Sequence, residues 1–147
     1  MPTAQDEVDR LLDHLRSSGA RLTQPRRAIV AAMLAADDHP TAEDLAAAIH
    51  TERPEIHRST VYRNLDALES AGIVDHVHLG HGRAVYHLVE DRHLHLVCDV
   101  CARVTHVPEA VLGPVRATLL VEYGFRVDSR HFPIPGLCTD CAATVEG

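Results

Sequence analysis

Twelve histidines and four cysteines stand in this chain of 147 residues. Half of those sixteen fall in one run, HVHLGHGRAVYHLVEDRHLHLVCDVC, residues 76–101. Imidazole nitrogen and thiolate sulfur are the donors that borderline divalent cations prefer. The chemistry written into the run is therefore metal binding, and the donors are too many for one ion.

The cysteines form two C-x2-C pairs, Cys98/Cys101 and Cys138/Cys141, with Cys101 and Cys138 37 positions apart. Both thiolates of such a pair can face one tetrahedral Zn(II), and two pairs complete a closed structural site. A buried-thiol or redox pair would explain one C-x2-C, but two together favour structural zinc, which would tie the strand at 94–98 to the C-terminal tail. The histidines need a separate account. Side chains alternate along a strand, so His93 and His95 share one face, while Leu94 and Leu96 point the other way into a core. His87 precedes the turn into that strand, His39 precedes a helix start, and His106 follows the next strand. Folding of the two halves onto each other would let these residues converge on one Zn(II), Ni(II) or Fe(II). His76 and His78 repeat the i, i+2 pattern, with His81 in the turn beyond them. His14, His50 and His57 have no clustered partners and read as surface residues, although His57 could lie near phosphate.

The elements that must hold these donors change character midway. Up to residue 75 the chain is rich in Ala and Leu, with apolar residues at helical spacing in four segments. The first covers about residues 5–18, with Val8, Leu11, Leu12 and Leu15 inward and Gly19 as the stop. The second opens on Thr23 and Pro25, the third on Thr41, and the fourth near Arg58–Ser59, ending at Gly72. IVDHVHL and RAVYHLV then alternate around Gly80–His81–Gly82, which predicts a hairpin. Four helices and a hairpin point to a winged helix-turn-helix. HLHLVC and RVTHV read as strands, PEAVLGPVRATLLVEYG as a helix interrupted or started late at Pro114, and FRVDSRHFPI as a further strand. The fold class is thus α+β: a winged-helix DNA-binding domain over 1–88, a hinge at 89–92, and a small α/β domain over 93–147. A unit of that size is helped by a metal staple or a partner chain.

Formal charge is -7, and all fourteen basic side chains are arginine. That balance does not advertise nucleic-acid binding, so any such face must be local. One candidate exists. Arg58, Ser59, Thr60, Tyr62, Arg63 and Asn64 crowd the start of the fourth helix, and Arg21, Arg26 and Arg27 could add phosphate contacts. The N-terminus shows no signal peptide and no apolar run approaches the roughly 18 residues of a membrane span, so a soluble cytoplasmic protein with no membrane contact is expected.

GARLTQPRRAIV, STVYRNLDALESAGIV, HLHLVCDVCARV and CTDC, in that order, resemble the ferric uptake regulator family over nearly the whole chain. The resemblance implies a homodimeric, metal-responsive repressor of double-stranded palindromic operators. It implies a regulatory metal bridging two domains, a four-cysteine zinc, and a recognition helix at Thr60–Leu65 with Tyr62 on DNA. On this likeness His39, His87, His93 and His95 fall where the inter-domain ligands lie, and His87 and His106 replace frequent carboxylates. Imidazole in place of oxygen moves such a site from Fe(II) and Mn(II) toward Ni(II) or Zn(II). HVHLGHG together with SRHFPIPG is similar to the nickel-responsive branch, which implies a wing nickel site of His76, His78 and His131. Zinc-responsive and iron-responsive repressors are the alternatives within the family. A metal-buffering protein would leave the STVYRNL helix unexplained. A zinc hydrolase lacks support, since no H-E-x-x-H occurs and Glu90 and Asp91 follow no catalytic spacing.

Overall fold

The computed structural model describes residues 1–79, 82–91, 93–129 and 133–145. The chain divides into two compact units, Met1–His76 with Ala84–Glu90, and Val77–Arg83 with Asp91–Gly147.

In the first unit, α1 spans Ala4–Ser17 and starts in a capping box, where Thr3 and Asp6 satisfy each other's backbone N–H groups. Helix α2 spans Gln24–Ala35, capped by Thr23, with Pro25 in the first turn where its missing N–H costs nothing. Helix α3 spans Ala42–Glu52 and repeats the box with Thr41 and Asp44. After a short turn α4 spans Arg58–Ser70. It ends where Gly72 takes φ +74°, the left-handed conformation that costs any other residue steric strain. Gly72 N–H then donates to the Glu69 carbonyl at 3.0 Å and Ile73 N–H to that of Leu68 at 3.0 Å, the Schellman pairing that satisfies orphan carbonyls. Strands β1 (Val74–His78) and β2 (Ala84–Leu88) form a two-stranded sheet. One core holds the helices together: Leu12 and Leu15 of α1, Ile29 and Val30 of α2, Leu45 of α3, and Val61, Leu65 and Leu68 of α4 are all at most 2% exposed. At about 1.5–3 kcal/mol for each side chain taken fully out of water, this burial orients α4.

The second unit is a three-stranded sheet of order β4-β3-β5. Strand β3 (His93–Cys98) pairs antiparallel with β4 (Val104–Pro108) and parallel with β5 (Ile134–Gly136). A 3-10 turn at Glu109–Leu112 leads into α5 (Gly113–Tyr123), and α6 (Thr139–Val145) closes the described chain. Pro114 sits in the first turn of α5, so the late start expected there is what forms. No α5 residue is buried. Val115, Leu120, Val121 and Tyr123 stand 51%, 50%, 82% and 71% exposed.

Two expectations are corrected. The stretch FRVDSRHFPI does not open as a strand. Residues 125–129 pair with nothing in a ladder, and the strand lies further on, at Ile134–Gly136. Alternation permits a strand but supplies no pairing partner, and residues 125–129 join neither outer edge of the β4-β3-β5 sheet. Segment 125–129 is held by side chains instead, with Arg116 donating to both Ser129 and Glu109. Leu96 is 36% exposed although it shares a face with the buried Leu94. Leu94 and Cys98 on either side of it on that face are buried, so the exposure is local to Leu96.

Candidate metal centres and nucleic-acid face

The four cysteines come together within the second unit. Cys98 ends β3, and its N–H donates to the Arg103 carbonyl at 2.9 Å across a tight turn in which Ala102 takes φ 59°. That turn swings Cys101 back beside it. Strand β5 runs parallel to β3 with Gly136 opposite Cys98, which delivers Cys138 two residues later. Cys138 N–H points at the Cys98 sulfur at 3.4 Å. The four Sγ atoms lie within 4.8 Å of one another, and those of Cys101 and Cys138 are 3.8 Å apart. A tetrahedron with Zn–S bonds of about 2.3 Å has edges of about 3.8 Å, so the set fits a closed four-thiolate ion. Backbone N–H groups of Cys101, Cys138 and Val100 pull the Cys98 thiol down to about 6. Hydrogen bonds to Cys138 and Cys101 push Cys141 up to about 12. A divalent cation removes that split by stabilising all four thiolates at once.

Histidines meet by cross-strand pairing in both units. In the second, the β3–β4 register places His95 opposite His106, and His93 lies two residues along the same face. Ring centroids are 5.0 Å apart for His95–His106, 4.7 Å for His93–His95 and 4.4 Å for His93–His106. His95 is 3% exposed, while His106 is exposed and His93 half-buried. In the first unit the same device works between a loop and β2. Thr41 bridges Val85 antiparallel, and Tyr86 N–H donates to the Pro40 carbonyl at 2.8 Å. Counting outward two residues each way sets His39 opposite His87, and their rings lie 5.5 Å apart. His87 is 7% exposed. Each unit therefore presents a group of imidazoles.

On the hairpin, His76 and His78 share a side of β1, but their surroundings differ: His76 is half-buried and His78 exposed. His76 Nδ1 lies 2.5 Å from Glu69 Oε1 on α4, and its ring is 5.8 Å from that of Tyr86. Asp75, 6% exposed, accepts the His76 backbone N–H at 2.9 Å. Glu69 and Asp75 were not singled out by sequence spacing, because only the turn at Gly72 folds α4 back over β1. His131 and His81 lie outside the described residues. His14, His50 and His57 are exposed.

Helices α3 and α4 with the turn between them form the helix-turn-helix. Val61, Leu65 and Leu68 face the core, which turns Ser59, Tyr62 and Arg63 to solvent. Thr60 is half-buried. Arg58 is held by Glu43 of α3 at 2.9 Å, and Glu43 and Tyr62 raise its already high pKa. Arg26 takes a bracing part in place of an outward one: it donates to Asn64 Oδ1 at 3.1 Å and to the Arg21 carbonyl. Arg21 is exposed, and Arg27 is paired with Asp9 at 3.0 Å.

A winged helix-turn-helix unit joined to a sheet unit carrying thiolate and imidazole groups defines a metal-responsive DNA-binding regulator. A profile of the ferric uptake regulator family matches residues 17–134, and the chain belongs to that family, one of metal-responsive transcriptional repressors and not of enzymes. The ferric uptake regulation protein of Bacillus subtilis strain 168 is 32% identical over 142 residues, covering 93% of this chain and 95% of that protein. The peroxide-responsive repressor PerR of Staphylococcus saprophyticus is 28% identical over 141 residues, covering 96% and 95%. Among solved structures, the ferric uptake regulator of Pseudomonas aeruginosa with manganese superposes with a TM-score of 0.72 at 27% identity, covering 87% of this chain and 97% of that one. Among the described residues, no helix is long and apolar enough to cross a membrane.

Proposed function

We propose that this chain is a homodimeric repressor that grips a palindromic operator when loaded with regulatory metal, and that this metal is Ni(II). Metal excess would then silence genes for metal uptake, with the protein acting in the cytoplasm where its DNA is. The observation that carries the reading is the all-imidazole character of the ring groups, His39 with His87 and His93 with His95 and His106. Neutral imidazoles suit Ni(II) and Zn(II) better than Mn(II), which seeks oxygen, and Fe(II) stands below Ni(II) in the usual order of affinity.

In this reading the four cysteines hold a structural Zn(II). One regulatory ion takes donors from both units, His39 and His87 from the first and His93, His95 and His106 from the second. The wing donors are His76, His78 and His131. A cation that binds only one relative placement of the units stabilises that placement by its differential affinity. The two α4 helices of a dimer are then set about one DNA turn apart. Ser59, Tyr62 and Arg63 meet phosphate and base edges, and Arg58 joins them on leaving Glu43. The apolar, unburied α5 supplies the dimer face.

Operator binding by purified protein, stripped of exchangeable metal and titrated with Ni(II), Zn(II) and Fe(II), tests this. Ni(II) should restore binding at the lowest free concentration. Restoration by Zn(II) alone, or by Fe(II) alone, would replace nickel with that metal, and equal binding by the stripped dimer would end the sensor reading.

A further inference from the structure

Glu69 sits in the last turn of α4 and His76 in the middle of β1. The Schellman turn at Gly72 brings them together, with Nδ1 of His76 2.5 Å from Oε1 of Glu69. Two donors bound to one ion at about 2.0–2.2 Å and about 90–109° stand roughly 2.8–3.6 Å from each other. At 2.5 Å the pair is closer than two co-ligands stand, and shorter than the roughly 2.7–2.9 Å usual for a charge-assisted N–H···O bond, so the two atoms share a hydrogen bond. A carboxylate is acceptor only, so the proton between them belongs to the imidazole. We infer that Glu69 is a positioning residue for His76, fixing the proton on Nδ1 so that Nε2 is the nitrogen this histidine offers to a metal at the wing.

Two observations and one general rule support it. Asp75 is almost wholly buried and accepts the His76 backbone N–H at 2.9 Å, so the strand is braced where the ring leaves it. Tyr86 packs beside the ring at 5.8 Å, narrowing its rotation. Histidine ligands as a class donate their second N–H to a carboxylate or carbonyl, which sets the tautomer and raises ligand basicity. Because Glu69 belongs to the same helix as Tyr62 and Arg63, the pairing also gives a wing ion a direct hold on the DNA-reading element. The inference rests on the wing reading proposed above for the destination of Nε2. The Nδ1–H state itself can be checked without any nickel.

The experiment uses the full chain with its thiolate-bound zinc retained and exchangeable metal removed. Long-range 1H–15N correlation spectra report the protonated nitrogen of each histidine, and His76 is assigned by its loss in His76→Gln. The Nδ1–H form is expected in the parent chain and in Glu69→Gln, whose amide oxygen still accepts. Glu69→Ala should relax His76 to the Nε2–H form. Ni(II) titration should then show affinity reduced about 10–100-fold in Glu69→Ala, the usual cost of losing such a support, and by less in Glu69→Gln. A parent chain with His76 protonated on Nε2 overturns the inference whatever metal it binds. So does a Glu69→Ala chain that changes tautomer yet binds nickel as tightly as the parent. A parent chain in the Nδ1–H form that takes no nickel upholds the Glu69–His76 pairing and removes the nickel reading instead.

Discussion

Helix α5 sets up the sharpest quantitative test. Leu120 and Val121 are 50% and 82% exposed in the single chain, on a helix with no buried residue. Full burial of such a side chain is worth roughly 2 kcal/mol. The fraction still available is about 1 kcal/mol for Leu120 and about 1.6 for Val121 on the same scale. A two-fold interface counts each residue twice, giving about 5 kcal/mol as an upper bound. Replacing both by alanine keeps each Cβ and removes the larger part, so the dimer dissociation constant should rise by roughly a thousandfold at 1.4 kcal/mol per decade. Sedimentation equilibrium of the zinc-retaining chain measures this directly. The monomer's own helix content should not change, since neither side chain is buried within it. Operator affinity should fall in parallel, because one recognition helix reads half a palindrome. A double variant that dimerises within about threefold of the parent would refute α5 as the dimer face, and with it the estimate drawn from exposure.

Other consequences follow from the same geometry. If one ion takes donors from both units, His39→Ala and His95→Ala should each abolish metal-dependent operator binding, and the double variant should be no worse than either. Additive losses in that cycle would show two independent sites. Arg63→Ala should weaken binding about equally on operator and random DNA and lower the slope of log affinity against log salt by about 1.8, two phosphate contacts at about 0.9 each; an unchanged slope would place Arg63 off the backbone. Cys138→Ser should lose the tightly held zinc, and hydrogen exchange should speed at Cys98 and Asp99, whose amides bond to Arg103 and Gly136 around the thiolate group. Retained zinc, or unchanged exchange, would contradict the staple.

How much of this was legible in the residues depends on whether the signal is local. Thr41 writes the start of α3, and Gly19 and Gly72 write stops, so the start of α3 and the ends of α1 and α4 could be placed within a residue or two, whereas the Thr3–Asp6 box that starts α1 went unread. The C-x2-C spacing is equally local, and the four sulfurs do gather. The strand expected at FRVDSRHFPI failed because alternation says nothing about whether a segment finds a pairing partner, and residues 125–129 join neither edge of the sheet.

The histidines show the same divide within single strands. Period two could put His93 and His95 on one face, but not say that His106 would lie opposite His95, since that depends on the β3–β4 register. Nor could it say that His39 and His87 would meet. That pairing hangs on one bridge, Thr41 to Val85, between residues 44 positions apart. A slip of one residue at either place would turn the rings to opposite faces and dissolve the group. Glu69 is harder still, being chosen by a helix end and a strand start that touch only because Gly72 reverses the chain. Donor type is therefore readable from composition and spacing, whereas donor set is a property of register. A change at Thr41 or Val85 that shifts that bridge should consequently part His39 from His87 with every imidazole still in place.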